Sequence, residues 1–356
     1  MTAGRPRRAV VCADLEGIGG VDTFEGCFPA WPRAYREARA LMEGEVAAAV
    51  SGLRDAGVDD VVVCDWHFAG TNLRRDRVDA PVVGLWQQGR PTMSRRDGYG
   101  DRDLAVFVGM HGAAGASSFM AHTFWQGLAC TVDGVAVNEA YLWSTMVGAG
   151  GARTGLVVGD DRVVDECAVL LPGVPVLPVK SSRSRDRART SQRPEALREQ
   201  IRQAAADAAR DHRDRPRVVG PVGAEVRVTF QEAGWADRFA RQGHGDLDGP
   251  RTVATRLEHP DGLVPLLSRA TLAMPAGRET ALYSRVVPPP EQARVPEPVR
   301  AAVAGCLHTL ARPLMRHGVR VTQRMPQDRY PTPPGEPGAA TGRPPSPGHG
   351  RRGPGH

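Results

Sequence analysis

Five short apolar runs, each ending on a polar or charged residue, constrain this chain more than any other feature. They cover residues 9–13 before Asp14, 61–64 before Asp65, 104–110 before His111, 128–137 before Asn138 and Glu139, and 156–158 before Gly159. The second and fifth are short and rich in β-branched residues, as buried strands of a parallel sheet are. Between the first two lies a helical stretch, 32–56. Its apolar positions Ala38, Leu41, Met42, Val46, Ala49 and Val50 recur every three or four residues, and Gly57 stops it. Helices are also expected over 138–147 and 161–171. The alternation predicts an α/β domain over residues 8–185, a mostly parallel sheet flanked by helices. Ligands of such sheets bind beyond the carboxyl ends of the strands, the edge on which these polar termini would gather.

Beyond Lys180 the texture changes. Residues 181–193 are rich in Ser and Arg and read as a loop. An amphipathic helix over 194–212, a half-exposed strand over 225–230 and a helix over 263–274 suggest a second, smaller α+β domain spanning 190–285. From 286 to 356 the chain is dominated by Pro, Gly and Arg, with one candidate helix over 298–316. A composition like that cannot bury a core, so most of this extension is expected to be disordered.

Composition excludes some classes. No apolar run reaches the 18 or so residues of a membrane span. The basic N-terminus leads into an apolar run too brief for a signal peptide, which points to the cytoplasm. The six cysteines show no metal-binding or disulfide spacing and are expected to be reduced thiols. The net charge of +6 arises from basic residues spread along the chain, without an aromatic-interleaved patch, so nucleic acid is not an expected partner. Of the 46 basic residues only Lys180 is a lysine. A compact, flexible ammonium could be required there, or the residue could have survived by chance.

Asp14-Leu15-Glu16 places two carboxylates two residues apart, on one face of an extended strand, where both can converge on a cation. His67, His111 and Glu139 end or follow other runs on the same predicted edge. Mixed nitrogen and oxygen donors suit zinc, with manganese as second choice. Five protein ligands are too many for one open catalytic zinc, and fit two metals sharing a carboxylate and a water. His122, past the small-residue segment 112–118, is either a sixth ligand or a catalytic group outside the metal shell. Gly17-Ile18-Gly19-Gly20 lacks the third glycine of a dinucleotide fingerprint. Asp160-Asp161 reads as a helix cap, and Arg183, Arg185, Arg187 and Arg189 as a solvated basic loop with a possible part in steering a peptide carboxylate.

Together, Asp14-Leu15-Glu16-Gly17-Ile18, Asp65-Trp66-His67, Gly109-Met110-His111 followed by His122, Asn138-Glu139, Gly159-Asp160-Asp161-Arg162 and Val179-Lys180 resemble the DppA-type family of D-aminopeptidases. The resemblance covers about residues 8–280. It implies a dinuclear zinc site, two Zn2+ per chain, on an α/β domain in a ring-like homo-oligomer. Asp14 would bridge the metals, with Glu16 and His67 completing one and His111 and Glu139 the other. His122 matches the family's catalytic residue. Cys12 and Thr123 depart from it, standing where serine is usual. The expected activity is removal of N-terminal D-amino acids from short peptides or amides by a water activated between the metals. The same residues would also serve a metal amidohydrolase acting on another amide, or a non-catalytic metal-binding assembly protein.

Overall fold

The computed structural model describes residues 5–68, 70–84, 86–87, 90–91, 99–274 and 330. The expected helix over 298–316 and, Tyr330 apart, the extension over 286–356 lie outside the described residues.

In chain order the strands are β1 (Arg8–Ala13), β2 (Asp60–Asp65), β3 (Val82–Gly84), β4 (Trp86–Gln87), β5 (Arg90–Pro91), β6 (Asp103–Met110) and β7 (Leu128–Val132). There follow β8 (Val135–Ala136), β9 (Arg153–Asp160), β10 (Val176–Ser184), β11 (Arg187–Arg189), β12 (Glu225–Phe230), β13 (Asp246–Leu247) and β14 (Thr252–Arg256). The helices are α1 (Pro32–Asp55), α2 (Arg75–Val78), α3 (Glu139–Ala149), α4 (Asp161–Leu170), α5 (Pro194–Arg210), α6 (Ala233–Arg241) and α7 (Leu263–Ala273).

The main sheet has seven strands in the order β11-β10-β9-β6-β1-β2-β3, parallel except for the β10–β11 pair. The chain runs outward from β1 through β2 to β3, then returns to the other side of β1 as β6. That reversal opens a crevice between the ends of β1 and β6, where an open α/β sheet binds its ligand. β6 is buried at every position, as a central strand covered on both faces must be. Proline in its first turn opens α1, whose buried stripe includes Ala38, Met42, Val46, Ala49, Val50 and Leu53. Leu197, Ile201 and Ala205 of α5 join that stripe in one core cluster with β1 and β6.

A second, antiparallel sheet runs β13-β14-β12-β7-β8. Three expectations are corrected here. The apolar run from 128 belongs to this sheet and not to the parallel one, since β7 pairs with β12 from Leu128↔Phe230 to Val132↔Val226. A short apolar run carries no information about which sheet it joins. Conversely α5, expected in the second unit, packs on the first sheet. The segment read as a loop from 181 holds the end of β10 and β11, an edge hairpin joined by backbone bonds without an apolar face to announce it. Buried along its whole length but for the last residue, α3 contributes to the core that reaches from β6 to β7 and β12.

Candidate metal centre

The end of β1 and the end of β6 approach through their backbones. Gly17 N–H donates to Gly109 O at 2.8 Å, and Asp14 N–H to Val108 O at 2.8 Å. A Cβ at Gly17 would lie 2.0 Å from Met110 O, and one at Gly109 2.0 Å from Asp14 O. Gly109 also has a φ of +84°, at a register shift between β6 and β9. The bulge re-aims the next residues, so His111 turns toward Asp14. The glycines flanking the two motifs are what allow the carboxylates and the histidine to share one site.

Asp14, Glu16, His67, His111 and Glu139 are all buried. His67 Nδ1 lies 3.2 Å from Asp14 Oδ1 and 2.9 Å from Glu16 Oε2. His111 Nε2 lies 3.4 Å from Asp14 Oδ2 and 3.6 Å from Glu139 Oε1, with no hydrogen bond to either. His122 Nε2 is 3.6 Å from the same Glu139 oxygen, and its ring stacks on His111 with centroids 4.2 Å apart. Donor atoms of Asp14, Glu16 and His111 fall within 4.8 Å of one another, as do those of His111, His122 and Glu139. The structure therefore brings together all six residues singled out from sequence. Glu139 arrives differently from the expectation, at the first turn of α3 after the second sheet's hairpin.

All three imidazoles have their tautomers fixed by main-chain carbonyls. His67 Nε2–H donates to Cys27 O at 2.8 Å, His111 Nδ1–H to Gly112 O at 3.0 Å, and His122 Nδ1–H to Met120 O at 2.7 Å. A carbonyl only accepts, so in each neutral ring the other nitrogen carries the lone pair. Those lone-pair atoms are the ones turned toward the carboxylates, as ligand histidines require.

The electrostatics show what the cluster lacks. Burial alone would lower the His67 imidazole, but the facing Glu16 and Asp14 carboxylates outweigh it and hold it well above its ordinary value. Burial also works against His111, yet contact with Asp14 and the charge of Glu139 push it up to about 10. Asp14 is held well below the usual carboxylate range, burial being outweighed by His111 and His67. Burial raises Glu139 to about 8, and with the charge of Asp14 it also raises Glu16. Protons on histidine balance a surplus of buried negative charge, a task a dication performs better. The buried His111 Nε2, set between the Asp14 and Glu139 oxygens at 3.4 and 3.6 Å without a hydrogen bond to either, is the clearest sign that the residues fit a metal.

Surrounding groups brace the cluster. Burial raises Glu166 to about 8; its Oε1 accepts from Ala113 N–H at 3.0 Å and its Oε2 from Asn138 Nδ2 at 2.9 Å. It thus ties the segment after His111 to the residue before Glu139. Asn138 Oδ1 in turn caps α3 by accepting from Tyr141 N–H. Asp65 accepts from Asn72 Nδ2, which also donates to His67 O. Thr123 donates through Oγ1 to Val137 O and accepts from Ala114 N–H. Lys180 is buried, with Nζ donating to Glu16 O and to Val21 O and lying 4.4 Å from the centre of the Phe119 ring. Asp160 caps α4 through Val163 N–H, and Asp161 accepts from Ser182 N–H, as structural residues. Sequence reasoning missed Glu166, which sits inside an amphipathic helix with nothing local to distinguish it.

Residues 8–268 match the family described as D-aminopeptidase. The chain belongs to that family. A D-aminopeptidase of Bacillus subtilis (strain 168) is 28% identical over 176 residues, 48% of this chain and 63% of that protein, so the match spans under two thirds of the relative. Among solved structures, the Zn-dependent D-aminopeptidase DppA from Bacillus subtilis, described as a self-compartmentalizing protease, superposes with a TM-score of 0.68 at 22% identity. The superposition covers 75% of this chain and 98% of that one, and shows that the family member here shares the fold.

Proposed function

We propose that this chain is a dinuclear zinc aminopeptidase that removes N-terminal D-amino acids from short peptides or amides. The observation that carries the reading is the convergence of Asp14, Glu16, His67, His111 and Glu139, with both histidines fixed in the tautomer a metal requires. Asp14 would be shared, with Glu16 and His67 on one side and His111 and Glu139 on the other. Zinc bound there would supply an activated water and polarise the scissile carbonyl.

His122 is the catalytic residue in this reading. Burial and the neighbouring His111 lower its pKa to about 3, so its Nε2 is an unprotonated lone pair at neutral pH, 3.6 Å from the Glu139 carboxylate. The Met120 carbonyl keeps the ring oriented. Family membership supports the D-amino acid preference. The description of DppA as self-compartmentalizing supports a ring-like homo-oligomer. The reading includes a cytoplasmic location, with which the five free thiols among the described residues agree.

The test is zinc content of the purified protein together with hydrolysis of D-Ala and L-Ala p-nitroanilides. About two zinc ions per chain and D-selective cleavage are expected. Metal without cleavage of either would move the reading to another amide or to an assembly role, and absence of metal after gentle purification would end it. His122→Ala should reduce turnover by about 100-fold or more with zinc content intact; loss of zinc in that variant would make His122 a ligand.

A further inference from the structure

We propose that Arg185, assisted by Gln231, is the carboxylate-recognition residue of this site and takes the free C-terminal carboxylate of a short peptide substrate. The proposal rests on the peptidase reading above.

Arg185 stands in the turn between β10 and β11. Its carbonyl accepts from Met120 N–H at 3.0 Å, and Met120 O is the acceptor for His122. Its neighbours Arg183, Arg187 and Arg189 are exposed, whereas Arg185 turns inward and lines a pocket with His122, Gln126, Gln231 and Tyr330. Its Nε and Nη1 are buried without a hydrogen-bond partner. Gln231 Oε1 accepts from the Tyr330 hydroxyl at 2.5 Å, which leaves Gln231 Nε2 as a second buried donor without a partner. A pocket wall made of unanswered donors, one of them a guanidinium, is costly in the empty chain and calls for an anionic acceptor. The planar guanidinium edge matches a carboxylate with two parallel hydrogen bonds. Because His122 lines the same pocket, the carboxylate held there lies close to the scissile amide, as in a dipeptide. This assigns to Arg185 the selection of substrates by their free end.

The zinc-loaded full chain would be compared with Arg185→Met, Arg185→Lys and Gln231→Leu on D-alanyl-D-alanine and D-alanyl-D-alaninamide, which differ only in the terminal charge. The wild type should show the lower KM for the acid. Arg185→Met should raise KM for the acid about 10- to 100-fold more than for the amide. Arg185→Lys should recover part of the discrimination, and Gln231→Leu should lose part. No discrimination in the wild type, or equal changes on both compounds, would overturn the assignment. If the wild type cleaves neither, the peptidase reading has failed and calorimetric binding of the same pair decides the subsite. Tighter binding of the acid, abolished in Arg185→Met, upholds it; equal binding of acid and amide overturns it.

Discussion

Asp14 offers its two carboxylate oxygens to two different histidines, Oδ1 to His67 and Oδ2 to His111, at 3.2 and 3.4 Å. Glu16 pairs with His67 and Glu139 with His111, and Asp14 pairs with both. The ring of His67 follows β2 and that of His111 follows β6, the two strands flanking β1 in the sheet. Strand order alone therefore places Asp14 in the middle.

Removing this shared carboxylate should affect both halves of the centre. Asp14→Ala is expected to bring zinc well below about two per chain and activity below about one per cent of wild type. Metal analysis by mass spectrometry checks it, and full zinc content in the variant would contradict a bridging role.

Glu166 touches no substrate in this reading, yet it braces two ligand-bearing segments at once. Glu166→Ala should weaken zinc binding by about 10- to 100-fold, the usual consequence of losing an outer support. Competition against a chromophoric chelator measures it, and circular dichroism should show the fold retained. An unchanged affinity would mean that the bracing is redundant.

The pH dependence of stability has a local signature at Glu45. Burial pushes its carboxyl up to about 8, although Gly19 N–H donates to it at 2.8 Å. In the unfolded chain the group titrates near its ordinary value of about 4.3. Between those values the folded chain keeps a proton that the unfolded chain has released, so this residue makes stability fall as pH rises from about 4.5 to about 8. Glu45→Gln removes that dependence. The Tm of the variant should gain on the wild type across pH 5 to 8; a constant difference over the range would refute the assignment.

Lys180 holds the carbonyls of Glu16 and Val21 in a buried slot against Phe119. A guanidinium is wider and planar and cannot take the same position. Lys180→Arg should displace the segment after β1 that carries Glu16 and lower kcat/KM about 10-fold or more. Activity equal to wild type would mean that the ammonium is dispensable.

Much of this architecture could be read from the residues, for identifiable reasons. Parallel strands buried on both faces announce themselves as apolar runs, and polar residues at their ends stand out, as Asp14, His67 and His111 do. The fate of residues 128–136 was not legible, because an apolar strand looks the same in either sheet. Nor was the hairpin of β10 and β11, whose Ser and Arg side chains show no apolar face. Glu166 acts through contacts with Ala113 and Asn138, far from it in the sequence, and Asn72 through side-chain bonds to Asp65 and His67 that no spacing rule announces. Arg185 differs from Arg183, Arg187 and Arg189 only in the direction it points. Tyr330, outside the matched residues 8–268, reaches Gln231 across 99 positions of chain.

The solitary lysine also makes this molecule unusually simple to interrogate with amine-reactive reagents. Apart from the amino terminus, the chain carries a single primary amine, and it lies beneath the carbonyl of Glu16. Acylation of that amine is a yes-or-no record of whether the floor of the centre has opened. Counting one adduct or two by intact mass, with zinc present and after chelation, would read the coupling between metal occupancy and local unfolding directly from the native sequence, with no probe introduced.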